Sequence, residues 1–260
     1  MLRLGDADVL AEGAELLAAS APGLLRLASP EGARPLARLT LKERTPRDWP
    51  LAVSESGGVH AFGRKGHLLE AAPASLELTL TFAPPLGADG VYWLRRDLFG
   101  ALACLSGGLM LHGSAALHRG EAHVFCGPSG TGKSTLLGIL ASAGLEPVND
   151  EVNWLFHDDA GTLRLVNQPY WVPGQSPSPP FPPVARIHLL RQAERCALKP
   201  PPHPAEIFGG LLACHLGIDQ GGDFLERRSR ALAKLAETAV FDVFEFNLSR
   251  TEILQALFGR

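Results

Sequence analysis

The 260-residue sequence lacks the features that define several protein classes. Its four cysteines are scattered without a C-x-x-C pair, so neither a zinc site nor a disulfide framework is indicated. It contains no run of 18 apolar residues, and acidic residues close to Met1 interrupt any signal-peptide core. The net charge of −3 gives no electrostatic basis for binding nucleic acid or an anionic membrane. We therefore expect a cytoplasmic protein with neither nucleic acid nor a membrane as its main partner.

The composition is that of an ordinary globular protein, with 46% hydrophobic and 20% charged residues. Ser75 to Phe82 alternates apolar and polar residues, which predicts a half-buried strand. Leu10 to Leu17 predicts a short helix, weakened by an internal glycine. We predict two parts, a β-rich N-terminal region at 1–90 and a main domain at 91–260. The β-rich region either extends the main sheet or forms a small lobe.

A glycine-rich motif dominates the middle of the chain. Gly127, Gly132, Lys133 and Ser134 match the pattern G-x-x-x-x-G-K-[ST]. An apolar strand at 122–126 is predicted before the motif, and a Leu- and Ala-rich helix at 134–143 is predicted after it. Such a loop turns successive N–H groups into one concavity at a helix N-terminus, which favours anions. The motif predicts a nucleoside triphosphate site; the alternative is a glycine-rich turn that merely precedes a helix.

The motif also assigns individual roles. We expect Lys133 to reach the β- and γ-phosphates and the Ser134 hydroxyl to ligate Mg²⁺, which makes ATP and Mg²⁺ the expected cofactors. The residues expected to hold the nucleotide are Gly127, Ser129, Gly130, Thr131, Gly132, Lys133, Ser134 and Thr135.

Strand and helix patterns alternate around the motif, which indicates an α/β class. The predicted helices are 92–105, 205–216, 224–236 and a last one opened by a capping box at Ser249 and Glu252, and the predicted strands are 109–117, 152–156, 162–166, 185–190 and 240–246. Residues 158–161 predict a turn between the strands at 152–156 and 162–166, and residues 169–183 contain seven prolines and predict a loop. That loop either shapes a substrate site or only spans two strands.

The acids of this sequence are unusual for a nucleotide-binding protein. Many such proteins carry an apolar strand that ends in Asp well downstream of the motif, and no segment after residue 160 has that form. Instead, Asp150 and Glu151 follow Lys133 after one helix and a turn, with Asp150 17 residues beyond it. Upstream, His112 precedes Lys133 by 21 residues, on the strand before the motif's own strand.

This order resembles the catalytic domain of HPr kinase/phosphorylase, whose fold is similar to that of phosphoenolpyruvate carboxykinase. The pattern comprises a His-Gly at 112–113, the motif at 127–134 and an acid pair at 150–151, and it is specific over 109–154. The sequence also resembles small HPr-kinase-like proteins that accompany the biosynthesis of modified peptides. The resemblance implies an α/β fold with a mixed sheet, flanking helices and a β-rich N-terminal region.

The resemblance further implies site roles. Asp150 is expected to be the general base, Glu151 to help hold Mg²⁺, and His112 to face the site and modulate Asp150 or the phosphates. The alternatives are that the acids are exposed turn residues and that His112 is a hydrogen-bonded core histidine. The family normally has Asp-Asp where this chain has Asp150-Glu151. Its downstream acidic signature is also missing near 167–171, so either the substrate loop is remodelled or catalysis is reduced.

Two functions from different classes follow. The first is an ATP- and Mg²⁺-dependent kinase that transfers the γ-phosphoryl group to a hydroxyl, a Ser of a peptide or small protein. The second is a non-catalytic, nucleotide-binding regulatory module with the same fold. A small-molecule kinase or carboxykinase-like enzyme ranks last, because the chain is much shorter than carboxykinases. A homo-oligomer remains an open alternative.

Overall fold

A computed structural model of the chain describes residues 2–4, 7–12, 35–43, 53–56, 59–64, 67–72, 77–82, 88–166, 181–201, 203–217 and 222–259. The chain divides into two compact units. The first unit comprises Met1–Gly107 and Gly217–Ser229, and the second comprises Gly108–Leu216 and Arg230–Arg260. The boundary expected after residue 90 falls inside a helix that belongs to the first unit, and the division into 1–90 and 91–260 stays a prediction.

The first unit contains a seven-stranded mixed sheet in the order β1-β2-β3-β7-β6-β5-β4. Its strands are β1 (Leu2–Leu4), β2 (Ala7–Glu12), β3 (Pro35–Glu43), β4 (Val53–Ser56), β5 (Val59–Arg64), β6 (His67–Ala72) and β7 (Glu77–Phe82). Parallel pairs join β2 to β3 and β3 to β7, and the other neighbours are antiparallel. The β-rich character of the N-terminal region is confirmed for its described residues, and the alternating strand predicted at 75–82 is confirmed over residues 77–82.

One helix, α1 (Ala88–Leu105), packs against β6 and β3 of this sheet. Its apolar residues recur at helical spacing, and Leu94, Leu98 and Leu102 among them are buried. The helix predicted at 10–17 is wrong for residues 10–12, which lie in β2 and pair with β3; residues 13–17 lie outside the described part. Pairing with a distant strand outweighed the local helix pattern there.

The second unit contains a nine-stranded mixed sheet in the order β12-β11-β8-β9-β13-β16-β14, with β10 and β15 also paired to β8. Its strands are β8 (Leu109–His118), β9 (Glu121–Cys126), β10 (Glu146–Asn149), β11 (Val152–His157), β12 (Leu163–Val166), β13 (Val184–Gln192), β14 (Ala197–Lys199), β15 (His215–Leu216) and β16 (Phe241–Phe246). The strands β9, β13 and β16 are parallel neighbours, and the remaining pairs are antiparallel.

Helices cover both faces of this second sheet. They are α2 (Lys133–Ser142), α3 (Pro204–Cys214), α4 (Gly222–Thr238, of which residues 230–238 belong to this unit) and α5 (Arg250–Phe258). On one face, Phe125 and Phe244 pack with α2 and α5. On the other, Val124 and Ile187 pack with α3 and the second half of α4. A mixed α/β architecture with flanking helices is thus confirmed.

Two local predictions are confirmed with their expected hydrogen bonds. Asp158 closes the turn between β11 and β12, because its Oδ1 accepts from the backbone N–H groups of Ala160 and Thr162. Ser249 caps α5, since its Oγ accepts from the backbone N–H of Glu252. Both pairs lie within four residues in the sequence, which is why the pattern alone sufficed.

Two other predictions end differently in the structure. The helix predicted at 205–216 ends at Cys214, because His215 and Leu216 pair with Leu111 and Met110 of β8. Most of the proline-rich loop predicted at 169–183 lies outside the described residues. Among the helices described, none is both long and apolar enough to cross a membrane.

Candidate phosphate site

The glycine-rich loop, defined here as residues 127–132, connects the end of β9 to the start of α2. Gly130 and Gly132 have left-handed backbones with φ of +81° and +92°, a conformation that costs glycine little. Space opens beside Gly130, where an added Cβ would meet no atom within 4 Å. Gly132 is the N-cap of α2, with no side-chain cap and no acid in the first turn. The helix therefore presents its N-terminal N–H groups to an anion.

Lys133 begins α2 and is only 6% exposed. Its Nζ donates to the carbonyl oxygens of Gly127 at 2.9 Å and Pro128 at 3.0 Å. Burial lowers the pKa of Lys133, and the neighbouring Cys214 and Asp150 oppose that shift. The ammonium group is thus held by two neutral carbonyls at the loop, where a phosphate group would be a stronger, charged partner.

Asp150 and Glu151 lie between two strands of the sheet, next to this loop. The strands β10 and β11 both pair with β8, and the two acids form the turn between them. Asp150 is half-buried and its Oδ1 has no hydrogen-bond partner, whereas Glu151 is exposed. The Glu151 carbonyl accepts from the N–H of Gly113 and from Nδ1 of His112, each at 3.2 Å. Because a carbonyl only accepts, His112 carries a proton on Nδ1.

A cavity of about 430 Å³ joins the loop, the helix terminus and the acidic turn. Its lining residues are His112, Ser129, Gly130, Gly132, Lys133, Ser134, Thr135, Asp150 and Glu151. Each of these was singled out from the sequence, although their chemical roles stay predictions. Two other residues expected at the site, Gly127 and Thr131, do not line the cavity. Thr131 turns its hydroxyl to the Pro128 carbonyl at 2.8 Å, which closes the loop on itself.

Three buried polar residues near the cavity were not anticipated from the sequence. Ser114 donates its Oγ to the carbonyl of Lys133 at 3.2 Å and ties β8 to the first turn of α2. Asn149 donates its Nδ2 to the Val166 carbonyl at 3.3 Å and to Oδ1 of Asn153 at 3.4 Å. Strand alternation could have indicated Ser114, which lies two residues after His112 and therefore on the same face of β8. The asparagines gave no comparable signal.

A pair of buried cysteines contributes to the electrostatics below the loop. Cys126 is the last residue of β9, Cys214 is the last residue of α3, and both are buried. A hydrogen bond from Cys126 lowers the pKa of the Cys214 thiol to about 7, aided by Lys133 and the N–H of Gly127. The same hydrogen bond, together with burial, raises the pKa of Cys126. Of the two thiols, Cys214 is therefore the one whose ionised form the surroundings favour.

Two observations bear on whether a nucleotide with its metal fits here. Asp150 offers a buried, unpartnered carboxylate oxygen in the cavity wall, and the space beside Gly130 is open. Within the described part of the chain, no three His, Cys, Asp or Glu side chains gather into a metal site. A hydroxyl at Ser134 and a carboxylate at Glu151 are the oxygen donors suited to Mg²⁺, which commonly takes its other ligands from phosphates and water. The residues fit a metal that arrives with a nucleotide.

Fold and site together define an α/β protein with a glycine-rich loop at the start of a helix, beside a cavity. No protein-family model matches the chain, and no curated protein matches it. Among solved structures, it is similar to the Hpr(Ser) kinase/phosphatase from Coxiella burnetii at 14% sequence identity, with a TM-score of 0.26. The match covers 49% of this chain and 90% of that chain. This is a distant structural resemblance.

Proposed function

We propose that this protein is an ATP- and Mg²⁺-dependent kinase that transfers the γ-phosphoryl group to a hydroxyl, a Ser of a peptide or small protein. The observation that carries the proposal is the shared cavity. It brings together the uncapped start of α2, Lys133 and Asp150, whose buried Oδ1 has no hydrogen-bond partner. A cationic phosphate cradle facing a proton acceptor is what phosphoryl transfer to a hydroxyl requires.

In the proposed reaction, the loop N–H groups and Lys133 hold the phosphates. Asp150 takes the proton of the acceptor hydroxyl. The oxygen of that hydroxyl bonds to the γ-phosphorus, and the bond between the γ-phosphorus and the β-phosphate oxygen breaks. His112 orders the acidic turn by donating to the Glu151 carbonyl. Bound Mg²⁺ would supply charge neutralisation at the phosphates, with Ser134 and Glu151 as its protein donors. The proposal keeps the cytoplasmic location and excludes nucleic acid and membrane as partners.

Binding of Mg-ATP to the purified protein tests the first part. We expect nucleotide to raise the melting temperature, and Lys133→Ala to weaken binding about 10- to 100-fold through loss of a charge-assisted contact. Lys199→Ala is the matched control, because Lys199 lies on β14 with an exposed side chain and pairs with Glu245. Unaltered nucleotide affinity in Lys133→Ala would contradict the proposed phosphate site.

Phosphoryl transfer to Ser-containing peptides, followed with γ-labelled ATP, tests the second part. As general base, Asp150 is expected to contribute about 10²- to 10⁴-fold to the rate, so Asp150→Asn loses that factor while still binding nucleotide. Transfer that is unchanged in Asp150→Asn would remove Asp150 as the base.

A non-catalytic nucleotide-binding module is the second candidate. The observation that favours it is the residue at the end of β13, the parallel neighbour of β9. That residue is Gln192, an amide, whereas many nucleotide-binding proteins have an acid at the end of a strand downstream of the motif. Nucleotide-dependent stabilisation that Lys133→Ala abolishes, without transfer to any acceptor, would select this candidate.

A further inference from the structure

The ends of two strands lie directly against the glycine-rich loop. β13 runs parallel to β9 as far as the pair Leu189 and Cys126, and then continues for three residues where β9 turns into the loop. The first of these residues, Leu190, approaches so closely that a Cβ added to Gly127 would lie 3.4 Å from its Cβ. The continuation of β13 therefore packs against the loop from outside the cavity.

The last paired residues of β13 and β16, Gln192 and Phe246, both reach the loop. Nε2 of Gln192 donates to the carbonyl oxygen of Gly130 at 3.2 Å. The ring of Phe246 lies below Gly132, with Cζ 3.1 Å from where a Cβ would be. These contacts fall on the loop's two glycines with positive φ. Each left-handed residue of the loop thus has its own support from one pair of residues in the sheet.

The contact to Gly130 has an electrostatic consequence. In a planar trans peptide the carbonyl oxygen and the following N–H point in opposite directions, and here the N–H of Thr131 donates to the carbonyl of Pro128 at 3.3 Å. Gly130 lines the cavity and Gln192 does not, so this hydrogen bond turns the Gly130 carbonyl away from the cavity. Rotation of the same peptide would direct a carbonyl oxygen, which carries partial negative charge, toward a bound phosphate and would repel it.

We propose that Gln192 is a positioning residue that keeps the carbonyl oxygen of Gly130 turned away from the cavity, where it would repel a bound phosphate. The inference rests on the proposed nucleotide site and adds to it a residue that touches neither phosphate nor metal. Gln192 is exposed, so its amide acts through this contact and not through the core. It accounts for the amide at the strand end where many nucleotide-binding proteins carry an acid.

Titration of Mg-ATP into Gln192→Ala, Gln192→Glu and Arg191→Ala tests the role. Loss of one neutral hydrogen bond predicts a Kd about fivefold higher for Gln192→Ala. Gln192→Glu is expected to lose more, since its carboxylate would face a carbonyl. Arg191→Ala is the matched control, because Arg191 points to the opposite face of β13, 3.9 Å from Glu206. In turnover, KM rises and kcat stays unchanged, and the melting temperature without nucleotide is unaltered.

Hydrogen exchange of the loop amides, measured without nucleotide, makes the test independent of the proposed function. We expect faster exchange over residues 127–132 in Gln192→Ala and unchanged exchange in Arg191→Ala. If wild type binds nucleotide, Lys133→Ala does not, and Gln192→Ala matches wild type in both Kd and exchange, this inference is overturned while the nucleotide site stands. If no variant binds nucleotide, the proposed function fails, and the exchange comparison still decides whether Gln192 holds the loop.

Discussion

Two polar clusters in the second unit differ in how completely their groups are paired. The histidine chain, defined here as Arg186, Asp242, His188 and His123, crosses three neighbouring strands. Arg186 donates to Asp242 at 3.0 Å, Asp242 accepts from Nδ1 of His188 at 2.6 Å, and Nε2 of His188 lies 3.0 Å from Nδ1 of His123. In the cavity beside the glycine-rich loop, by contrast, Asp150 keeps a buried oxygen without a partner. A cluster that satisfies itself stabilises the fold, and one left incomplete is suited to a ligand.

The pKa values of both histidines in the histidine chain are lowered. Burial is the main cause that lowers the pKa of His123, to about 3, and it also lowers the pKa of His188. Both histidines are therefore neutral in the folded protein near neutral pH. His188 then donates to the Asp242 carboxylate and accepts from His123, so the hydrogen bonds run in one direction along the chain.

Removal of the carboxylate from the histidine chain gives the largest expected effect on stability. Asp242 is 2% exposed and bonds both Arg186 and His188. We expect Asp242→Ala to lower the free energy of unfolding by about 1–3 kcal/mol, because it leaves the Nδ1–H of the buried His188 without an acceptor. Urea unfolding measures it, with Asp159→Ala in an exposed turn as the control, expected within about 0.5 kcal/mol of wild type. Equal stability of the two variants would contradict the distinction between the clusters.

Acid pH is expected to weaken the histidine chain more gradually. The folded pKa of His123 and of His188 lies below the unfolded value of about 6.5, so the unfolded chain binds more protons below that pH. Through His123 the free energy of unfolding therefore falls as pH drops from about 6.5 toward 3, by up to about 1.4 kcal/mol per pH unit, and the lowered pKa of His188 acts in the same direction.

Urea unfolding between pH 5 and pH 7 measures that slope. In His123→Phe the slope of unfolding free energy against pH should be smaller by up to about 1.4 kcal/mol per pH unit, which corresponds to one proton. The titrating group is gone, while an aromatic ring still packs against Phe258. His157, whose pKa burial also lowers, contributes equally to both proteins. An identical slope in wild type and His123→Phe would show that His123 is protonated in the fold as easily as in the unfolded chain.

The smallest stability change is expected at the cavity beside the glycine-rich loop. Asp150→Asn removes an oxygen that makes no hydrogen bond, so we expect the free energy of unfolding to stay within about 0.5 kcal/mol of wild type. The same urea experiment measures it, beside the large loss expected in phosphoryl transfer. A destabilisation comparable to that of Asp242→Ala would make Asp150 a structural acid and would remove the contrast between the two clusters.

Predictions from sequence succeeded where the deciding contacts are close in the chain. The turn at Asp158, the cap at Ser249 and the strand–loop–helix around Lys133 depend on residues within a few positions of one another. The strand at 10–12 was mistaken for helix because its partner, β3, lies more than twenty residues away. His215 was placed in a helix for a similar reason, since β8 determines its conformation.

The candidate site shows the same difference between residues that are close in the sequence and residues that only the fold brings together. His112, Asp150 and the expected phosphate-site residues were chosen by spacing and by family resemblance, and the structure brings all of them except Gly127 and Thr131 to one cavity. Gln192 could not be chosen in this way. Its partner Gly130 lies 62 residues away, and the contact exists because β13 is the neighbour of β9 and extends beyond it.

The local elements and the residues proposed to bind phosphate could be recognised from the sequence, because a glycine-rich turn, a strand period and a helix cap are encoded within a few residues. Which polar groups are satisfied depends on the tertiary structure. Asp242 is paired by residues 54 and 56 positions away, whereas Asp150 Oδ1 has no partner. Strand order places those distant groups together, and no local pattern specifies it.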